Sequence, residues 1–225
     1  ISIHLHPSWE ASVSTTVGNE LAALSSPATS MLHGNGNNLW FNAEDANGDD
    51  EPYRLNSEGQ LTKWDLSPSG GTVVTNWVSH EQDLFAVALR GSVRQVVHLM
   101  DNGTSQWLTN LAPSSGDSHI AEGLGIHLLN NTLVFDALLS GADATLWATN
   151  LSSGETSQLS TSLFAPGGTL GGTVSGHRMM FDCFRAAHGT ELCSTDGTAN
   201  GTSLIQDMTP GVSSSTLVDA VPLNG

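Results

Sequence analysis

The chain has 225 residues, with six basic against 22 acidic side chains and a formal charge of −16. That length can bury one large all-β core, while the charge sets the chain against nucleic-acid phosphates and anionic membranes as partners. No run approaches the ~20 apolar residues of a membrane helix, so no membrane insertion is expected.

No secretory leader is visible, and Ile1 reads as the start of a processed or trimmed chain. In chain order, residues 1–24 read as three short strands that end on Leu24-Ser25-Ser26-Pro27. A hydrophobic residue followed by phenylalanine then recurs at Trp40-Phe41, Leu84-Phe85, Val134-Phe135 and Met180-Phe181, with 44, 50 and 46 residues between successive phenylalanines. Twelve residues beyond each phenylalanine stand Tyr53, Val97, Trp147 and Cys193, and the units close on Pro68, Pro113, Pro166 and Pro210. A period of about 40–50 residues made of short strands is the pattern of a propeller-like array.

Each unit predicts four strands. In the last they run over 171–174, 178–184, 191–194 and 203–208, separated by the turn pairs Ser175-Gly176, His188-Gly189 and Asp196-Gly197. Residues 216–221 read as a lone strand, and the Pro222-Leu223-Asn224-Gly225 tail matches the turn that precedes the second strand elsewhere. Joined to residues 1–27, that strand completes a blade and removes long free sheet edges. The expected fold is therefore an all-β, five-bladed β-propeller of four-stranded antiparallel blades, its ring closed by the C-terminal strand. The expected blades are 216–225 plus 1–27, 28–68, 69–113, 114–166 and 167–215, in one domain over 1–225.

Cys183 and Cys193 flank a hairpin centred on His188, which sets them opposite each other across the ladder, where a disulfide can form. Two free buried thiols are the other reading. A bridge favours an oxidising compartment.

The run from Gly189-Thr190-Glu191-Leu192-Cys193-Ser194-Thr195-Asp196-Gly197-Thr198 through Thr202 to Thr209-Pro210-Gly211 resembles the GxELWxTDGTxxGTxLVxDIxPG repeat of bacterial secreted and surface proteins. Cys193 stands where that repeat usually has tryptophan. Thr145-Leu146-Trp147-Ala148-Thr149-Asn150 keeps its core, and Glu51-Pro52-Tyr53-Arg54-Leu55 keeps its outline. The resemblance implies propeller blades and an extracellular setting, and it carries no catalytic residues. Asp196-Gly197 suits a tight turn, and Thr198 and Thr202 suit hydroxyl-to-backbone bonds that cap the following loop.

Eight residues before the four phenylalanines stand His33, Trp77, His127 and Thr173, with His80 and His177 near the turn that follows. Histidines converging from different inner strands suit copper or zinc, and Trp77 adds an aromatic ligand-binding surface. The competing reading is inner-strand residues bonded to water or carbonyls. His4 and His6 share one face of an extended strand and form a second candidate metal pair. The stretch from Glu44 to Glu51 has the Asp-x-Asn-x-Asp spacing of a calcium loop, but Asp50 and Asn56 stand where an EF-hand needs glycine and glutamate.

No Gly-x-Ser-x-Gly elbow, His-Glu-x-x-His pair or phosphate loop is present. Asp83, Asp136 and Asp182 are the carboxylates nearest the phenylalanine anchors, and a glycoside hydrolase built on such groups is the alternative from another class. The sequence therefore leads to a secreted or surface-attached, non-catalytic binding module. Its expected partner, a transition-metal ion or a carbohydrate, is placed at a mouth of the central channel.

Overall fold

The computed structural model describes residues 32–67, 70–111, 119–121, 123–139, 144–160 and 171–216. Strands β1 (Leu32–Asn35), β2 (Asn38–Glu44), β3 (Asp50–Asn56) and β4 (Leu61–Lys63) form the first sheet. The second contains β5 (Val74–His80), β6 (Asp83–Arg90), β7 (Val93–Leu99) and β8 (Ser105–Trp107). The third contains β10 (Ile126–Leu129), β11 (Thr132–Leu138), β12 (Thr145–Asn150) and β13 (Thr156–Ser160), with a short extra strand β9 (His119–Ile120) paired to β11. The fourth contains β14 (Thr173–Ser175), β15 (Arg178–Arg185), β16 (Gly189–Thr195) and β17 (Ser203–Gln206). In each sheet the four principal strands follow one another in chain order, and the registered pairs are antiparallel. The expected fifth blade, residues 1–27 with 216–225, falls almost wholly outside the described residues.

The described chain divides into two compact units. One holds the first sheet with Ser79–Ser92 and Val97–Gln106, and the other holds Val93–Val96 with the third and fourth sheets. In the first unit, period-two alternation sends Phe41, Ala43, Tyr53 and Leu55 to one face of β2 and β3, where they form a buried cluster. Trp40 and Arg54 pair on the other face. There the Arg54 guanidinium lies 5.7 Å from the ring centres of both Trp40 and Trp64, a cation–π arrangement. In the second unit Leu129, Val134, Leu146, Ala148 and Leu159 of the third sheet share one core with Met179, Phe181, Cys183 and Cys193 of the fourth.

The first hairpin of every sheet turns through a two-residue loop whose leading residue has a positive φ: Gly36 (57°), Glu81 (53°), Asn130 (53°) and Gly176 (59°). Such turns match the right-handed twist of the strands and favour Gly and Asn at that point. Glu81 holds the same conformation without glycine's freedom.

These turns correct the aromatic ruler. Phe41, Phe135 and Phe181 each lie five residues beyond their turn residue, and Phe85 only four beyond Glu81. Phe41 stacks on Tyr53, twelve residues on, with ring centres 5.7 Å apart. Phe85 instead stacks at 4.3 Å on His98, thirteen residues on, so Val97 is not its partner. The phenylalanine has slipped one residue along β6, and Ala86, fully buried, takes the position that Phe41 holds in β2. Because adjacent residues point to opposite faces, a one-residue slip changes the side that is filled.

The disulfide between Cys183 and Cys193 is present, with Cα atoms 5.8 Å apart. The two cysteines are not direct partners. Cys183 pairs with Glu191 and Cys193 with Phe181, so the bridge runs diagonally on one face of the ladder. The turn lies nearer β15 than expected, with Gly189 (φ 71°) already opening β16.

One further device recurs. The segment leaving a sheet is tied back by a buried Glu or Gln on its third strand. Leu66 N–H bonds the Glu51 carboxyl, Leu111 N–H donates to Gln95 Oε1 at 2.9 Å, and Met208 N–H donates to Glu191 Oε2 at 3.0 Å. Each donor stands two residues before a closing proline: Pro68, Pro113 or Pro210. Thr145 occupies the matching position in the third sheet, ten residues after Phe135.

Candidate functional site

Three of the inner-strand candidates keep equal register. His33 lies opposite Trp40, His127 opposite Val134 and Thr173 opposite Met180, each three residues before its turn residue. In the second sheet that position belongs to Val78. Trp77 is its neighbour and therefore points to the other side of the strand, which corrects its expected grouping with the histidines.

His33, His127 and His177 are already engaged. In the first unit His33 Nε2 meets Ser79 Oγ at 3.0 Å, and partial burial holds its pKa below the ordinary histidine value. His80 ends β5, exposed. In the second unit His127 Nε2 lies 2.7 Å from Leu124 O, and burial likewise lowers its pKa, so the ring is neutral at pH 7. His177 Nδ1 meets Asn130 Oδ1 at 2.8 Å, joining the first turns of the fourth and third sheets. Among the described residues no group of three or more His, Cys, Asp or Glu side chains is arranged to hold a metal ion. His4 and His6 lie outside the described residues.

Two of the three carboxylates near the phenylalanine anchors hold backbone. Asp136, 2% exposed, accepts N–H bonds from Gly123 at 3.1 Å and Leu124 at 2.8 Å. Asp83 accepts from Asp101 N at 2.7 Å and pairs with His98 Nε2 at 2.7 Å. Asp182 is buried. In the acidic loop, Asp45 accepts from Asn47 N (2.7 Å), Asp49 N (3.1 Å) and Lys63 Nζ (2.9 Å). Those bonds, the lysine foremost, hold its carboxyl down at about 2. The only lysine in the chain thus pairs with the carboxylate that leads this loop.

An open polar feature belongs to the second unit and is made by two copies of one loop. After β12, Asn150 Oδ1 accepts from Ser152 N (2.9 Å) and Ser153 N (3.0 Å). After β16, Asp196 Oδ1 accepts from Thr198 N (2.9 Å) and Thr198 Oγ1 (2.7 Å). A threonine pair closes each loop: Thr149 with Thr156 at 2.9 Å, and Thr195 with Thr202 at 2.7 Å. Thr202 Oγ1 also donates to Thr198 O at 2.7 Å, the capping expected from the sequence.

Side by side, the two loops bound a shallow cleft. Its rim carries Thr132, Asn150, Ser153, Glu155, Ser157 and Thr198, and its floor is the buried Ala148 and Leu159. The sequence assigned Asp196, Gly197, Thr198 and Thr202 to architecture. It missed the cleft because no single repeat contains it; the cleft exists only where two repeats stand together.

No protein-family model and no curated protein sequence matches the chain. Among solved structures, the chain is similar to a puromycin hydrolase: 15% identity and a TM-score of 0.51, over 81% of this chain and 29% of that one. It is also similar to a puromycin-hydrolyzing peptidase of Mycobacterium tuberculosis: 9% identity and a TM-score of 0.56, over 81% and 29%. A TolB of Acinetobacter baumannii shares 16% identity at a TM-score of 0.44, over 80% of this chain and 42% of that one. The chain spans less than a third of the puromycin hydrolase and of the puromycin-hydrolyzing peptidase. At such identity the likeness bears on the fold alone. With four antiparallel sheets of four principal strands each among the described residues, the protein is all-β and propeller-like.

Proposed function

We propose that the protein is a non-catalytic β-propeller binding module whose cleft between the Asn150 and Asp196 loops takes a neutral, hydroxyl-rich ligand, a carbohydrate. The composition of the cleft carries the reading. Hydroxyl, amide and carboxyl groups ring an apolar floor, which is what a sugar ring with polar edges and apolar C–H faces requires. The finer fold within this reading is a five-bladed ring of the ELWxTDGTxxGT repeat type, closed by the two chain ends. The disulfide supports a secreted or surface setting. Glycoside hydrolysis has less support, because both oxygens of Asp136 accept backbone N–H bonds.

A glycan array tests the ligand. Binding by the wild-type chain that disappears in Ser157→Trp, at unchanged melting temperature, supports the cleft. Absence of any glycan signal, or full binding by the variant, overturns it.

A transition metal remains the second reading, on one observation. His127 and Met179 meet around Gly172: a Cβ built there falls 2.5 Å from His127 Nε2 and 2.7 Å from Met179 Sδ. An imidazole beside a thioether suits copper once Nε2 gives up its proton and its bond to Leu124 O. Metal analysis of protein purified without an affinity tag, repeated on His127→Ala, decides it.

A further inference from the structure

The buried Glu or Gln that ties down the outgoing segment is not equally satisfied in the three sheets. Gln95 carries no charge; its Oε1 accepts from Thr109 Oγ1 (2.6 Å) and Leu111 N (2.9 Å), and its Nε2 donates to Leu111 O (2.6 Å). Glu191, fully buried, accepts from Met208 N (3.0 Å) and from Ser215 Oγ, which lies 3.0 and 2.8 Å from its two oxygens. Glu51 is as deeply placed, 2% exposed, and bonds Leu66 N–H, but its Oε2 has no hydrogen-bond partner.

A buried carboxylate with one donor is less stable than one with two, because its lost hydration is not replaced. The charged groups around Glu51 do not repair this. Asp65, on the outgoing segment itself, and Asp45, in the β2–β3 loop, oppose its ionisation. Lys63 on β4 favours it, but that ammonium is bonded to Asp45. Tyr53, two residues along β3, contributes a phenol that stays neutral, its own pKa raised by burial. Burial first and Asp65 second push the Glu51 carboxyl up to about 7.

We propose that Glu51 is a proton-operated latch: protonated, it holds residues 64–66 against β3, and on releasing its proton to solvent it lets that segment loosen. Ionisation leaves a buried anion facing Asp65, and the nearest relief is hydration of the carboxylate as the segment lifts. Trp64 registers the change. It stacks on Trp40 at 4.9 Å, its backbone N–H donates to Pro52 O at 3.0 Å, and its indole N–H donates to Thr104 O at 2.9 Å.

Amide hydrogen exchange of residues 64–66 between pH 5.5 and 8.5, corrected for intrinsic exchange chemistry, tests the latch. In the wild type, protection falls severalfold across pH 7. In Glu51→Gln, which installs the group that Gln95 already uses at this position, protection stays level. In Asp65→Asn the fall moves to lower pH?free of the Asp65 charge, Glu51 ionises more readily. Level protection in the wild type, an unchanged fall in Glu51→Gln, or an unmoved midpoint in Asp65→Asn overturns the proposal. Should Glu51→Gln not fold, NMR titration of the wild-type Glu51 carboxyl carbon replaces it; a midpoint near 7 sustains the latch and one near the ordinary glutamate value overturns it.

Discussion

Met208 donates its backbone N–H to Glu191 across 3.0 Å, and this bond ties the segment that leaves the fourth sheet to the sheet's own interior. The Ser215 hydroxyl bonds the same carboxylate. Glu191→Ala strands both donors in a buried site, at a cost of about 1–3 kcal/mol. Glu191→Gln keeps an acceptor for Met208, as Gln95 does for Leu111, and loses less. Urea unfolding of the two variants should give that order, with alanine the weaker.

Gly172 and Gly171 separate a packing requirement from a chain-flexibility effect. A methyl at Gly172 runs into the His127 ring and the Met179 thioether, whereas at Gly171 nothing lies within 4 Å. Gly172→Ala is therefore expected to destabilise by about 1–3 kcal/mol through overpacking, and Gly171→Ala to be neutral or slightly stabilising. Thermal melts of the pair check the contrast.

The Cys183–Cys193 bridge closes a short loop, with a sequence separation of 10. Removing it frees the unfolded chain and costs about 2–3 kcal/mol in the chain-entropy picture. The Cys183→Ala/Cys193→Ala double variant should melt lower than the oxidised wild type, and adding reductant should not shift it further.

Two carboxyls near the β2–β3 loop act on stability in opposite directions. Asp45 is held at about 2, below its ordinary 3.8, so its contribution is complete above pH 4 and is lost as pH falls toward 2. Glu51 is raised from 4.5 to about 7, so its effect is most favourable below pH 4.5 and declines as pH rises through 7. Lys63→Met removes the main cause of the Asp45 depression. It should flatten the acid limb of a stability–pH profile measured by denaturant midpoints, while Glu51→Gln should flatten the neutral limb.

Much of the fold was legible. In the fourth sheet the strands expected at 178–184 and 191–194 lie within Arg178–Arg185 and Gly189–Thr195, because period-two burial and the glycine turns are local signals. The slip at Phe85 was not legible, since a lone phenylalanine marks a buried strand without saying which face it fills; only the turn at Glu81 fixes the phase. The diagonal disulfide escaped for a similar reason: a one-residue error in a hairpin centre moves every cross-strand partner by two. Glu191 was read as part of a repeat and not as the anchor of Met208, because the two lie seventeen residues apart and no local rule joins them.

Since Leu66 and Leu111 are fastened to their own sheets, and Ser215 as well as Met208 bonds Glu191 in the fourth, a cut just beyond Leu66, Leu111 or Ser215 leaves the upstream blade with these ties intact. Those three points are natural seams for chimaeras in which one blade is exchanged for another. Splices placed by the aromatic instead would import the β6 slip and put the wrong side of the incoming strand inward.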